Sequence, residues 1–408
     1  MTTHRLSTPR IRIPWSLERP SPLPLLAVWT LSRAGMLALL WDDTLGVGKI
    51  GREVYLLYQH WYGQLSQGAF PLADVTWQYP PGAGLVILAP GLLEPLTYYQ
   101  GFVALTLCTD AAVSVALARA GGSGAWVWVG GLPLLLHMPL VRYDVQTTAF
   151  AVFALLAVQA GRPRLGGVLA GLGAMVKVWP ALTLLGTAPG RPTRRAWASA
   201  LLAAVALMTV LALAFSDPLE FLRHQGGRGV QIESLGGSAL SVAHLAGWPG
   251  AVQYRYGSFE FTGPHVPVVA RLSLLLTVAA FCWLLLWRVR ARRWTTATGP
   301  DAALAAVLLF TVTSRVISPQ YMIWLLGLAA VCLTCRITSQ RPVTLLLLPA
   351  AALSALAYPV LYEHVLAVTP LGCAVMVARN ALLIAATAVS CRRLWRATAP
   401  GLPAVEDH

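Results

Sequence analysis

The chain has 408 residues, is 57% hydrophobic and only 11% charged, and carries a formal net charge of +14 with a mean hydropathy of +0.64. A soluble domain carries about a quarter charged residues, so this composition excludes a water-soluble fold and makes lipid the solvent. The positive charge excludes little by itself. It falls in short arginine clusters between apolar stretches, the pattern of cytoplasmic loops rather than of a nucleic-acid-binding face. The bilayer is the expected partner, and nucleic acid is not.

Arg5, Arg10, Arg12 and Arg19 precede the first apolar stretch and make residues 1–22 a basic tail, read as cytoplasmic and retained rather than cleaved. Residues 23–41 form the first span. Residues 42–96 follow as a first external loop, rich in Tyr and Trp, the residues that sit where lipid meets water. This loop holds Asp42, Asp43, Glu53 and Asp74, four acids from a chain with only 16. Val54, Leu57, Tyr58, Trp61 and Leu65 recur at helical spacing, which predicts an amphipathic helix lying along the membrane surface. Pro80-Pro81 opens a second short apolar run, stopped at Glu94-Pro95, that is too short to span.

Spans are expected at 97–118, 124–140 and 145–160, with Arg142-Tyr143-Asp144 at an outer turn. Residues 164–189 read as a bent pair with Lys177 near the outer apex, because basic residues flank both ends. A span at 196–216 leads to a second external loop, 217–264, which contains Arg228, Gln231 and Glu233. Further spans fall at 266–288, 302–314, 319–335, 342–360 and 370–391, with Arg315 and Gln320 at an outer turn and residues 392–408 as a cytoplasmic tail. The prediction is an all-α polytopic membrane protein, one domain over 1–408, with about 12 transmembrane helices, amphipathic helices in the first loop and both termini cytoplasmic.

Charges beside hydrocarbon are costly, so each one outside a basic loop is a functional candidate. On this topology the outer side collects acids (Asp42, Asp43, Glu53, Asp74, Asp144, Glu233) and bases (Arg142, Lys177, Arg228, Arg315). Cations at such a site hold phosphate, and a carboxylate takes a proton from an attacking hydroxyl. Asp110 and Arg379, inside spans, read as a buried pair fixing helix packing. Cys332-Leu-Thr-Cys335 has no second ligand pair and reads as apolar filling. No cysteine lies in an outer segment, so no structural disulfide is expected. No P-loop, elbow serine or His-Glu-x-x-His motif occurs.

Several segments resemble glycosyltransferase family 87, the polyprenol-phosphate-mannose-dependent mannosyltransferases with a GT-C fold. They are Glu53-Val-x-x-x-Tyr58-x-x-Trp61-Tyr62, Gly68-x-Phe70-Pro71, Asp74-Val-Thr-Trp-Gln-Tyr-Pro-Pro81, Arg142-Tyr-Asp144, Lys177-Val-Trp-Pro180, Arg228-Gly-Val-Gln-Ile-Glu-Ser234 and Ser314-Arg-Val-Ile-Ser-Pro-Gln-Tyr321. The resemblance implies a GT-C-like fold and an inverting transfer of a sugar, mannose by family, from a polyprenyl-phosphate donor to an acceptor hydroxyl on the extracytoplasmic face of a cell membrane, read as bacterial. It implies a first-loop acid as base. Where the family pattern has Asp, this chain has Glu53, so the base stays open between Glu53, Asp74, and Asp42 or Asp43. Donor phosphate and sugar are expected on Lys177, Arg142, Asp144, Arg315, Gln320, Tyr79, Tyr58, Arg228 and Glu233. No cofactor is required; a divalent metal is compatible with paired acids but not demanded by their spacing. The acceptor is unspecified. The alternative, a transporter or flippase, predicts substrate groups at mid-membrane, whereas the unusual residues here crowd to one surface.

Overall fold

A computed structural model describes residues 20–72, 74–224 and 229–399. Arg228 lies outside the described residues, as do most of the basic N-terminal tail and the end of the C-terminal one. The protein is an all-α polytopic bundle. Among the described residues six helices are long and apolar enough to cross a membrane: Pro22–Asp42, Tyr98–Ala120, Arg191–Ala214, Val266–Arg290, Arg341–Val360 and Pro370–Thr398. Seven shorter apolar helices pack among them. The 16 residues of Asp144–Gln159 rise about 24 Å, short of the ~30 Å hydrocarbon thickness. Helix length therefore does not establish the expected twelve crossings.

Local sequence explains where the helices begin and pack. Thr97 and Gln100 form a reciprocal capping box that starts Tyr98–Ala120. Gly167 and Gly171 lie one turn apart on Pro163–Val176, and a Cβ on either would strike the backbone of Ala196 or Ala200 on Arg191–Ala214. Small residues at this spacing let two helices close to backbone contact in lipid.

The first loop folds as expected. Residues 53–58 form a π-helical turn that runs into Gln59–Leu65. Val54, Tyr58, Trp61 and Leu65 are buried along one stripe. The second loop adds strand structure that helical periodicity did not anticipate: a small antiparallel sheet in the order 230–231, 258–262, 251–255. Tyr256 and Gly257, both at positive φ, make the two-residue turn of the hairpin.

The expected Asp110–Arg379 pair does not form. Asp110 pairs instead with Arg33 at 2.8 Å, between the middles of Tyr98–Ala120 and Pro22–Asp42. Trp29 and Trp128 donate their indole N–H groups to the same carboxylate. Arg379 donates to the backbone carbonyl of Glu233. Periodicity marks both residues as buried but cannot say which helices touch.

The two ends of the bundle differ. Near one end the arginine-rich turns meet: Ser199 donates to the Arg164 carbonyl, Arg288 to Thr187 O and Thr193 Oγ1, and Trp287 to Thr398. Asp43, Glu53, Arg142, Asp144 and Lys177 gather at the other.

Candidate active site

Two helices of nearly equal length explain the centre of the site. Asp144–Gln159 and Pro163–Val176 are joined by a tight turn, so the start of one lies beside the end of the other. Asp144 opens the first helix and Lys177 follows the second, each at the terminus whose dipole favours its charge. Their side chains meet, Lys177 Nζ to Asp144 Oδ1 at 2.6 Å. Trp324 Nε1 donates to the same oxygen. The ammonium lies 4.5 Å from the Tyr143 ring centre, 5.3 Å from that of Trp324 and 5.5 Å from that of Tyr79. Trp324 is stacked between Tyr321 and Trp179.

Beside this pair lies a second one. Arg142 Nη2 contacts Glu53 Oε2 at 2.7 Å, and Tyr58 donates its hydroxyl to Glu53 Oε1 at 3.0 Å. The Arg142 side chain is 5% exposed and that of Glu53 is 29% exposed, so the carboxylate faces outward and the cation lies beneath it. Tyr58, Tyr79 and Tyr143 pack ring against ring between the two pairs. Arg142 Nε, Asp144 Oδ2 and Trp179 Nε1 are buried without a hydrogen-bond partner, which native proteins seldom allow away from functional sites.

The remaining acids differ in kind. Asp74 accepts from Thr76 N, Thr76 Oγ1 and Trp61 Nε1. Burial raises its carboxyl, but those hydrogen bonds outweigh burial and leave it below its usual range. Asp43 accepts from the backbone of Ile50 and Gly51 and contacts His137 Nε2 at 2.9 Å. Both acids hold the first loop together. Asp42 is exposed and accepts from Thr44.

Glu233 sits in an adjoining group. It is buried, accepts from Gln231 Nε2, and lies beside Arg379. Burial pushes its carboxyl up to about 7, with Arg379 pulling the other way. The backbone carbonyl of Arg315 accepts from Gln231 N, and half-buried Gln320 immediately precedes Tyr321–Cys332. Tyr358, next to Arg142, packs on Tyr362, next to Glu233, with ring centres 4.8 Å apart. Sequence reasoning missed Tyr358, Trp324 and the contact of His137 with Asp43. Their surroundings in sequence are plain apolar spans, and no spacing marks them.

Among the described residues no three His, Cys, Asp or Glu groups cluster to hold a metal ion. Glu53 and Asp144 each face a cation, and Asp43 and Asp74 are filled by N–H and O–H donors.

The fold is that of a polytopic membrane protein whose bundle holds two carboxylate–cation pairs at one end, walled by aromatic rings. The family model of glycosyltransferase family 87 matches residues 77–319. That stretch is more than half of the chain, which therefore belongs to glycosyltransferase family 87. Among solved structures, ArnT from Cupriavidus metallidurans, crystallised with undecaprenyl phosphate, is similar over 91% of this chain and 76% of its own, with 14% identity and a TM-score of 0.44. No curated protein matches the chain.

Proposed function

We propose that the protein transfers a sugar, mannose by its family resemblance, from a polyprenyl monophosphate to an acceptor hydroxyl at the extracytoplasmic face, with inversion and without a metal. The observation that carries this reading is the side-by-side placement of Glu53–Arg142 and Lys177–Asp144. It supplies one partly exposed carboxylate and two cations within a single aromatic-walled site. Glu53 is the base: its partly exposed carboxylate sits on Arg142 within this site, whereas Asp74 and Asp43 are committed to backbone donors.

In this mechanism Lys177 and Arg142 face the donor phosphate. The acceptor hydroxyl attacks the anomeric carbon from the side opposite the phosphate, and the bond from that carbon to the phosphate oxygen breaks. The hydroxyl proton passes to Glu53, so its negative charge is lost as negative charge grows on the leaving phosphate. Arg142, released from its carboxylate, then neutralises that phosphate. Cations aimed at the developing charge in a water-poor site supply the largest stabilisation.

The test is transfer by purified protein in lipid nanodiscs, given labelled polyprenyl-phosphate mannose, or the matching pentofuranose donor, with a cell-envelope extract as acceptor. The expected result is labelled product and released polyprenyl phosphate, undiminished by EDTA. Failure with both donors ends the reading; transfer of the pentose alone corrects the sugar. Lys177→Met is expected to raise the donor KM at least about tenfold, corresponding to ~1.4 kcal/mol of phosphate binding. An unchanged KM removes Lys177 from the phosphate site.

A further inference from the structure

Away from the site, a cavity opens among the helix ends near the arginine-rich turns. Its volume is about 570 Å³, within the ordinary range for ligand sites. Leu155 and Val158 form its apolar wall, Thr183 and Trp294 flank it, and Arg191 and Arg195 line its mouth. No Asp or Glu lines it. The nearest acid in sequence, Asp301, is held by Thr338 and Ser339, so its charge is already engaged.

The walls are braced. Arg288 donates to Thr187 O and Thr193 Oγ1 on one side, and its guanidinium lies 4.4 Å from the Trp294 ring centre on the other. The cavity mouth is thus fixed by a third cation behind its lining. Arg191 and Arg195 stand on the first turns of Arg191–Ala214. Directly beyond them that helix exposes Trp197, Leu201, Leu202 and Val205. This is the face of a membrane helix turned to lipid tails, with an aromatic anchor at headgroup depth. An anion seated between the two guanidiniums would therefore have an apolar track leading away from it along the same helix.

We propose that this cavity binds the headgroup phosphate of an anionic phospholipid, held by Arg191 and Arg195, with its acyl chains lying on the exposed face of Arg191–Ala214. Bidentate arginine recognition suits phosphate, and basic pockets between membrane helices recognise anionic headgroups. The site is separate from the transfer site, and its existence does not depend on the sugar or acceptor used there.

Delipidated protein in neutral detergent, titrated with phosphatidylglycerol or phosphatidylcholine and followed by native mass spectrometry and thermal unfolding, tests this. Wild type is expected to retain phosphatidylglycerol selectively and to gain thermal stability from it. The double variant Arg191→Gln/Arg195→Gln is expected to bind that lipid at least about tenfold more weakly, since it removes both cations that face the anionic headgroup. Its unfolding temperature in phosphatidylcholine should match wild type, which separates lost binding from lost folding. Arg336→Gln/Arg341→Gln, removing the same charge from the same end, should bind as wild type does. Equal retention of both lipids, or equal weakening in the two double variants, overturns the proposal. Inorganic phosphate that displaces the lipid and stabilises the protein equally well would assign the cavity to a soluble anion instead.

Discussion

Two sets of buried charge in this molecule use the same chemistry to different ends. Arg33–Asp110 lies at mid-helix, and every strong hydrogen-bonding position on the carboxylate is filled: two bonds from Arg33 and one each from Trp29 and Trp128. The two pairs Glu53–Arg142 and Asp144–Lys177 lie at helix ends. There Glu53 is partly exposed, while Arg142 Nε and Asp144 Oδ2 are left without partners. A saturated ion pair has nothing left to offer a ligand and serves as a peg between two helices. An unsaturated one, next to a solvent-facing carboxylate, keeps bonding capacity for a substrate. On the proposed function, saturation rather than the mere presence of charge in an apolar chain separates the two roles.

That comparison is sharpest when one member of each set is removed. Glu53→Gln should lower turnover by about 10²- to 10⁴-fold, the range for loss of a general base, while thermal unfolding stays near wild type. Undiminished turnover in the folded variant would place the base elsewhere. Asp110→Ala should do the opposite. It should cost about 3–5 kcal/mol of stability in a denaturant titration, because Arg33 is left buried and unpaired, yet the folded fraction should turn over at close to the wild-type rate. If Asp110→Ala abolishes turnover in fully folded protein, saturation does not distinguish the roles.

Glu233 tests an intermediate case, a buried acid beside a cation that it does not saturate. Its carboxyl is raised from 4.5 to about 7, so the folded protein keeps this proton to higher pH than the unfolded chain does. Its contribution to stability is therefore greatest below pH 4.5, falls as pH rises towards 7, and is level above that. The total change is on the order of 3 kcal/mol. Thermal unfolding across this window should show the fall in wild type and a flatter profile in Glu233→Gln; matching profiles would refute the assignment. The smallest effect is expected at Asp74. Asn there turns an N–H either towards the Trp61 N–H or towards the Thr76 N–H, donor against donor, costing about 1–3 kcal/mol of stability. Turnover of the folded variant should stay within about threefold, under ~0.7 kcal/mol. A larger fall in turnover would move Asp74 from loop architecture into the chemistry.

Much of this was legible in the residues. The helical stripe Val54, Leu57, Tyr58, Trp61, Leu65 predicted the inward face of the first loop: all but Leu57, which is half-buried, are buried, because an amphipathic helix turns its apolar side away from water. Lys177, flanked by Val176 and Val178, stood out because an ammonium in such surroundings needs a partner. The partner itself was not readable: Asp144 lies 33 positions away, and only the matched lengths of two helices bring it alongside. The Asp110–Arg379 expectation failed for the same reason. Both residues face inward, but inward positions on different helices outnumber the contacts that can form.

The sequence alone determined that lipid is the solvent, which stretches are apolar helices, that basic clusters separate them, and that the first loop carries a helix and spare acids. These are consequences of composition and of local periodicity, and they need no knowledge of neighbours. Tertiary structure alone decided that Glu53 sits on Arg142 while Asp74 is tied to Thr76 and Trp61, that Arg33 is the partner of Asp110, and that the Tyr358–Tyr362 ring contact lies between Arg142 and Glu233. The role of a charged side chain depends on how many of its hydrogen-bonding positions the fold fills, and those partners come from helices far apart in the chain.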